Sequence, residues 1–277
     1  MNTGDDTWLH GLRVCPDLDT VTYTLAGAVN PETGWGLVGE TWQALESLRA
    51  YDDRRAWFAL GDRDLGTHLY RTGRLGEGAS LTEVTAGITA RWGLGLRLLP
   101  MTEDEVATRF TLAEGGDEIG FQDYFVGRRH SVAVSAVRFA GVDAASPAPD
   151  VLPALAAATK VVIAPSNPIV SIGPILAVPG LRDAVGERRD DVVAVSPIIA
   201  GGTVKGPADR LLAELGHEAT VVGVARLYAD VAATLVIDEA DAELAGAVED
   251  EGVRCVVAPT LMHGPAEAAA LARVTLA

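Results

Sequence analysis

Cysteine is scarce in this chain. Cys15 and Cys255 are the only two among 277 residues, too few for a disulfide framework or a four-ligand zinc site. Lysine is nearly as rare, with Lys160 and Lys205 alone. Positive charge as a whole is short: 22 lysines and arginines face 38 aspartates and glutamates, for a net charge of −16. Such a chain repels polyanions, which excludes DNA and RNA as expected partners. A phosphate-bearing ligand must then be met by local cations, by backbone N–H groups or by a metal. No run of eighteen apolar residues occurs, and no basic-then-apolar leader opens the sequence; the expectation is a cytoplasmic protein with no membrane span. Several catalytic signatures are missing too. There is no G-x-x-x-x-G-K-[ST] phosphate loop, no G-x-G-x-x-G, no G-x-S-x-G elbow and no H-E-x-x-H, so the common nucleotide, serine-hydrolase and zinc-protease readings fail.

What is present is apolar enough to fold. Hydrophobic residues make up 48% of the chain, and its length suffices for one large domain or two modest ones. The organising stretch is Asn2-Thr3-Gly4-Asp5-Asp6-Thr7-Trp8 with Cys15-Pro16-Asp17-Leu18-Asp19-Thr20. Both segments read as turns. Asp5, Asp6, Asp17 and Asp19 crowd together, and crowded carboxylates repel unless a cation lies between them. Mg²⁺ suits one or two such carboxylates together with waters and substrate phosphates. The competing reading is an acidic turn in which Asp5 caps the following helix.

Further along, Val21–Val29 reads as an apolar helix or strand. Residues from about 40 to 100 form a helical block, with Trp42, Leu45 and Leu48 at helical spacing and a capping box, Ser80-Leu81-Thr82-Glu83, that opens a helix through Arg91. From about 106 to 138 the pattern turns to short antiparallel strands, in ATRFTL, EIGFQDYFV and HSVAVSAVRF. The last half alternates. Lys160–Ala164, Asp191–Val195, Ala219–Val222, Ala233–Ile237 and Arg254–Val257 read as buried strands; Ala208–Leu215 and Ala240–Glu251 read as helices. This predicts an α/β fold whose mainly parallel sheet is covered on both faces.

Ligands in such folds bind beyond the carboxyl ends of the strands. Two loops there are unusual. One carries Ser166, Asn167 and Ser171 between prolines that fix its path; the other carries Gly201, Gly202 and Lys205 ahead of Pro207. Either is suited to a diphosphate, and either is also explicable as ordinary loop chemistry. A third candidate is Gly61-Asp62-Arg63-Asp64, in which Arg63 is either part of a surface ion-pair cluster or a fork held toward a ligand. His68 follows on a helix; it is of a type suited to proton transfer, and equally common as a structural residue.

Taken together, NTGDDTW, CPDLDT, GWGLVGETW, LGDRDLGTHLYRT, LLPMTEDEVATR, FQDYFVGRRH, APSNPIVSIGPIL, SPIIAGGTVKGPADRLL and Tyr228 resemble the 2-phospho-L-lactate transferase family of coenzyme F-420 biosynthesis, in order and over essentially the whole chain. The resemblance implies a single Rossmann-like transferase domain over 1–277 with a helical insertion, usually a homodimer, and a Mg²⁺-dependent reaction. In it the terminal ribityl hydroxyl of the deazaflavin Fo attacks the phosphorus that carries a lactyl or enolpyruvyl group in a guanosine diphospho-ester, and GMP leaves. It implies that Asp5 and Asp19 hold the metal and act in catalysis. Asp19 and Arg63 would bind the acceptor; His68 is a further substrate-binding candidate, and Ser166, Asn167, Ser171, Gly201, Gly202 and Lys205 are assigned to the donor from their place in the topology. The arginine-rich, lysine-poor composition tilts the donor toward the enolpyruvyl form. The family also implies a strand, a glycine-rich turn and a helix ahead of NTGDD, so the expectation is that the natural chain carries them. The alternative is a non-catalytic deazaflavin- or nucleotide-binding protein.

Overall fold

The computed structural model describes residues 1–277, the side chain of Arg55 excepted. The chain divides into two compact units. The first comprises Met1–Phe110, Glu118–Val132 and Arg138–Ala148; the second comprises Thr111–Asp117, Ala133–Val137 and Pro149–Ala277.

In the first unit the acidic turn runs into a hairpin of β1 (Thr7–Leu9) and β2 (Leu12–Val14), antiparallel, with Thr7 opposite Val14 and Leu9 opposite Leu12. His10 and Gly11 join them, both at positive φ (54° and 78°), the geometry that matches a two-residue loop to the strand twist. The acidic turn is thus followed by a strand, and Asp5 caps no helix. Helix α1 (Pro16–Leu25) starts directly afterwards. Proline at its first position has no N–H to lose, and Asp17 and Asp19 in the first turn meet the positive end of the helix dipole. One expectation is corrected here: the CPDLDT segment is a helix start rather than a free turn. Of the two readings open for Val21–Val29, the helix holds through Leu25, where α1 ends.

Three helices follow, α2 (Gln43–Tyr51), α3 (Asp64–Gly76) and α4 (Leu81–Arg91). The capping box of α4 forms as its spacing predicts: Ser80 Oγ accepts from Glu83 N at 3.2 Å, and the Glu83 carboxylate accepts from Ser80 N at 2.8 Å. Next come β3 (Ala107–Leu112), β4 (Glu118–Gly120) and β5 (Val134–Ala140), in the order β4-β3-β5. The short β3–β4 connection makes that pair antiparallel. The rest of the expected strand EIGFQDYFV is not extended. Asp123–Gly127 is a wide helical turn, because its aromatic residues fill a ring stack: Tyr124 is fully buried against Phe110, 4.1 Å between centroids, and Phe125 lies parallel to Phe121.

The second unit contains α5 (Val151–Ala157), β6 (Val161–Ile163), α6 (Gly173–Ala177), α7 (Leu181–Gly186), β7 (Val192–Val195), β8 (Ile198–Ile199), β9 (Gly202–Thr203), α8 (Ala208–Glu214), α9 (Val221–Tyr228), β10 (Thr234–Ile237), α10 (Ala245–Asp250), β11 (Arg254–Val257) and α11 (Pro265–Leu276). Its parallel sheet has the order β11-β10-β7-β6, in registers that set Val161 beside Val192 and Thr234 beside both Val193 and Arg254. Alternate residues serve opposite faces. Val192, Ala194, Leu235 and Ile237 pack with Val221, Val224, Ala225 and Val248. Val193, Val195 and Val236 pack with Leu271 and Val274 of α11. Each fully buried valine or leucine of this kind stabilises the fold by about 1.5–3 kcal/mol.

Ala219–Val222, expected as a strand, opens α9 instead. Thr220 Oγ1 accepts from Gly223 N at 3.3 Å as the helix cap, and the apolar positions 221, 224, 225 and 228 recur at helical spacing. Among the described residues no helix is long and apolar enough to cross a membrane.

Candidate active site

The acidic turn is held by its own side chains. Asn2 Oδ1 accepts from Gly4 N at 2.8 Å, and Asn2 Nδ2 donates to Asp5 Oδ2 at 2.9 Å. Gln122 Nε2 donates to the Asp5 carbonyl at 2.8 Å, and Thr108 N to the Gly4 carbonyl at 2.7 Å. Asp5 is therefore fixed and buried, only 4% exposed, yet its Oδ1 has no hydrogen-bond partner. Asp6 repeats the pattern. Its Oδ2 pairs with Arg13 at 3.1 Å, while its buried Oδ1 is unpartnered.

Asp19 comes from the first turn of α1 and shows the same division. Oδ1 forms a tight ion pair with the Arg71 guanidinium; Oδ2 is buried without a hydrogen bond, 3.7 Å from His68 Nδ1. Asp64, His68 and Arg71 lie at i, i+4 and i+7 on α3 and form its buried stripe. His68 Nε2 stands 3.4 Å from Asp64 Oδ2, and Tyr23 Oη donates to Asp64 Oδ1 at 2.6 Å.

The electrostatics follow from burial. Burial, then the charge of Asp17, pushes the Asp5 carboxyl well above the ordinary carboxylate range. Burial lifts Asp6 to about 7 against the opposing pull of Arg13, and burial raises Asp17 as well. At Asp64 burial acts the same way but is outweighed by His68, Tyr23 and Arg71, which hold the carboxyl below its usual value. Asp5, Asp6 and Asp17 thus lack enough positive charge, and three buried carboxylate oxygens lack a donor. That chemistry fits a hard divalent cation. Among the described residues no three histidine, cysteine, aspartate or glutamate side chains form a ready cage. The chemistry of these oxygens suits a cation such as Mg²⁺, which keeps most of its ligands as water and phosphate.

Arg63 precedes the first residue of α3. The GDRD turn is not an ion-pair cluster. The Asp62 carboxylate accepts from the Gln43 and Ala44 amides at 3.0 Å each and caps α2, while Asp64 faces inward. The Glu40 carboxylate accepts from the Arg63 and Asp64 amides, both at 2.8 Å, closing the start of α3. The Arg63 guanidinium donates to the Val38 carbonyl and lines a cavity of about 540 Å³ with Tyr70, Arg91, Trp92, Thr67 and Leu37. Gly87 leaves room there: a Cβ at that position would come within 2.5 Å of Tyr70 Oη.

The structure brings Asp5, Asp19, Arg63 and His68 into one unit, with His68 beside Asp19. Ser166, Asn167, Ser171, Gly201, Gly202 and Lys205 belong to the other unit. Asn167 is partly committed there, since its Oδ1 accepts from Ile169 N and Val170 N at 2.9 and 3.3 Å. Ser166 and Ser171 are half-buried. Ala200 and Gly201 (φ 50° and 74°) form the turn of the β8–β9 hairpin, and Lys205 is exposed. Sequence reasoning missed Arg71, Asp64 and Tyr23. The signal that could have found Asp64 and Arg71 is the 64–68–71 helical spacing on one face of α3.

A sequence profile described as 2-phospho-L-lactate transferase CofD matches residues 1–260. The chain belongs to that family. Among its relatives, a phosphoenolpyruvate transferase of Streptomyces griseus is 47% identical over 278 residues, covering 99% of this chain and 87% of the relative. The phosphoenolpyruvate transferase of Thermobifida fusca is 46% identical, with coverage of 98% and 83%; that of Mycobacterium avium is 43% identical, with coverage of 97% and 81%. In fold, this member of the transferase family is similar to the crystal structure of a UPF0052-family protein from Bacillus halodurans. The TM-score is 0.59 at 15% identity, over 100% of this chain and 89% of that one.

Proposed function

We propose that this family member transfers a phosphoenolpyruvyl group from a guanosine diphospho-ester to the deazaflavin Fo in coenzyme F-420 biosynthesis, releasing GMP. The observation that carries this reading is the buried set of aspartates, each with one tied and one untied oxygen, in the same unit as a cavity lined by Arg63, Tyr70, Arg91 and Trp92. The names of the relatives support the enolpyruvyl over the lactyl donor. The cavity volume is of the size that takes a tricyclic ring, and its tyrosine, tryptophan and arginines offer stacking and hydrogen-bonding surfaces.

Phosphoryl transfer asks for alignment and charge neutralisation more than for covalent help. The Fo ribityl oxygen forms a bond to the phosphorus bearing the enolpyruvyl group, the bond from that phosphorus to the GMP oxygen breaks, the electron pair leaves with GMP, and the hydroxyl proton passes to solvent water. Asp5 and Asp19 would hold Mg²⁺, which when bound would offset the charge of the phosphoryl oxygens. One of these carboxylates orients the attacking hydroxyl. Arg63 positions the acceptor with its planar fork. Ser166, Asn167, Ser171, Gly201, Gly202 and Lys205 are the proposed donor contacts. The test is to mix the protein with Fo, Mg²⁺ and either the enolpyruvyl or the lactyl donor and to measure GMP. Faster release with the enolpyruvyl donor is expected. Binding of Fo without any GMP release would replace this reading with that of a binding protein.

A further inference from the structure

Arg71 lies beside Asp19, and the role assigned to it below holds only with the cation site proposed above. Arg71 is 1% exposed, and a guanidinium taken out of water costs several kcal/mol unless its surroundings repay it. Its two terminal nitrogens make the contacts. One terminal nitrogen pairs with Asp19 Oδ1. The other donates to the Arg13 carbonyl at 3.2 Å and to His68 Nδ1 at 3.2 Å.

The last contact determines the orientation of the histidine. Arginine can only donate, so His68 Nδ1 must be the accepting nitrogen, and the ring proton sits on Nε2, facing Asp64 Oδ2 at 3.4 Å. His68 Nδ1 then turns a lone pair, not a proton, toward Asp19 Oδ2 at 3.7 Å. The same guanidinium thereby satisfies one oxygen of Asp19 and keeps the nearest side chain from satisfying the other. Without it, the carboxylate is free to rotate and His68 is free to donate to Oδ2.

We propose that Arg71 is a positioning residue for Asp19: it fixes the carboxylate through Oδ1 and, by setting the His68 tautomer, reserves Oδ2 for the cation and the reacting phosphate. A merely neutralising role would be met by any buried cation. This one requires a fork that reaches Asp19, the β2 carbonyl and His68 at once, which an ammonium group does not offer.

The test uses Arg71→Lys in the full chain, with Mn²⁺ as a spectroscopic stand-in for Mg²⁺. The variant keeps the charge and is expected to fold, checked by circular dichroism. Mn²⁺ affinity measured by electron paramagnetic resonance should fall about tenfold or more, as for the loss of a ligand-orienting partner. The kcat should fall about a hundredfold with the KM for Fo unchanged. Wild-type Mn²⁺ affinity and kcat in Arg71→Lys would overturn the proposal. If that variant does not fold, His68→Phe is measured in the same way: it leaves Arg71 on Oδ1 and takes away the ring that could otherwise donate to Oδ2, so Mn²⁺ binding should be retained, and its loss there would overturn the proposal. Asp19→Asn separates this inference from the one beneath it. Unaltered Mn²⁺ binding by Asp19→Asn removes the cation site itself. Lost binding in Asp19→Asn with retained binding in Arg71→Lys removes only the role of Arg71.

Discussion

Asp5, Asp6 and Asp19 each have one oxygen tied to a neighbour and one buried and untied. A structural salt bridge has no need of the second condition, and it is a costly one in a protein interior. Removing the repelled Asp5 carboxylate should therefore cost function and not stability. Asp5→Asn and Asp19→Asn are expected to lose about a hundredfold or more in kcat, the equivalent of a few kcal/mol of charge stabilisation. Asp5→Asn is expected to melt no lower than the parent, since it relieves repulsion with Asp17. Near-normal GMP release by both variants would remove the cation assignment. Arg63→Lys keeps the charge at the cavity wall but loses the planar fork, and Fo affinity should weaken by roughly tenfold, or about 1.4 kcal/mol. Equal Fo affinity in Arg63→Lys, Arg63→Ala and the parent, measured by fluorescence titration, would leave Arg63 only the bracing of the Val38 carbonyl.

At the scale of elements, α3 serves two sites from two faces. Asp64, His68 and Arg71 face the acidic cluster, while Gly66, Thr67 and Tyr70 line the cavity. Tyr23 bridges the faces through Asp64 Oδ1 and Thr67 Oγ1, at 2.6 and 2.7 Å, and its ring meets Trp92 edge-on at 5.6 Å. The close approach of α4 to α3 depends on Gly87. In Gly87→Ala the new Cβ displaces the far end of Tyr70, a side chain 46% exposed and free to move. Stability should change by less than about 1 kcal/mol, because alanine favours the helix, whereas Fo affinity should fall as Tyr70 shifts at the cavity wall. Unaltered Fo affinity would place the acceptor elsewhere. The start of α4 offers a contrast with no expected effect on chemistry: Ser80→Ala removes one half of the capping box and should cost about 1 kcal/mol in urea unfolding, with kcat unchanged.

At the scale of the whole molecule, the loops of the parallel sheet are fastened by buried or half-buried carboxylates. Asp238, just beyond β10, accepts from Thr260 N and Oγ1 beyond β11, at 2.8 and 2.9 Å, and from Ala240 N at 3.1 Å. Burial alone would raise its carboxyl, but these donors outweigh it and hold the group below its ordinary value. The sign follows. A depressed folded-state pKa contributes stability that is present above the unfolded value, about 3.9, and is lost as pH falls through the folded one. The stability gap between the parent and Asp238→Asn should be constant from neutral pH down to about 5 and narrow below about 4; a gap that widens in acid would contradict the assignment. By itself the sequence determined the α/β class, the parallel strands at β6, β7, β10 and β11 and the capping box of α4. All of these are local: period, cap chemistry and composition act within a few residues. Only the tertiary structure decided that Phe121–Val126 is a ring-packed turn and that Val221 and Val222 belong to a helix, because aromatic and β-branched residues favour strands until a buried stack or a capped amphipathic face claims them. It alone decided which aspartate oxygens are tied. At Asp19 that choice depends on Arg71, 52 positions along the chain, and Gln122 holds the Asp5 main-chain carbonyl from 117 positions away; no local spacing carries the register of contacts so distant.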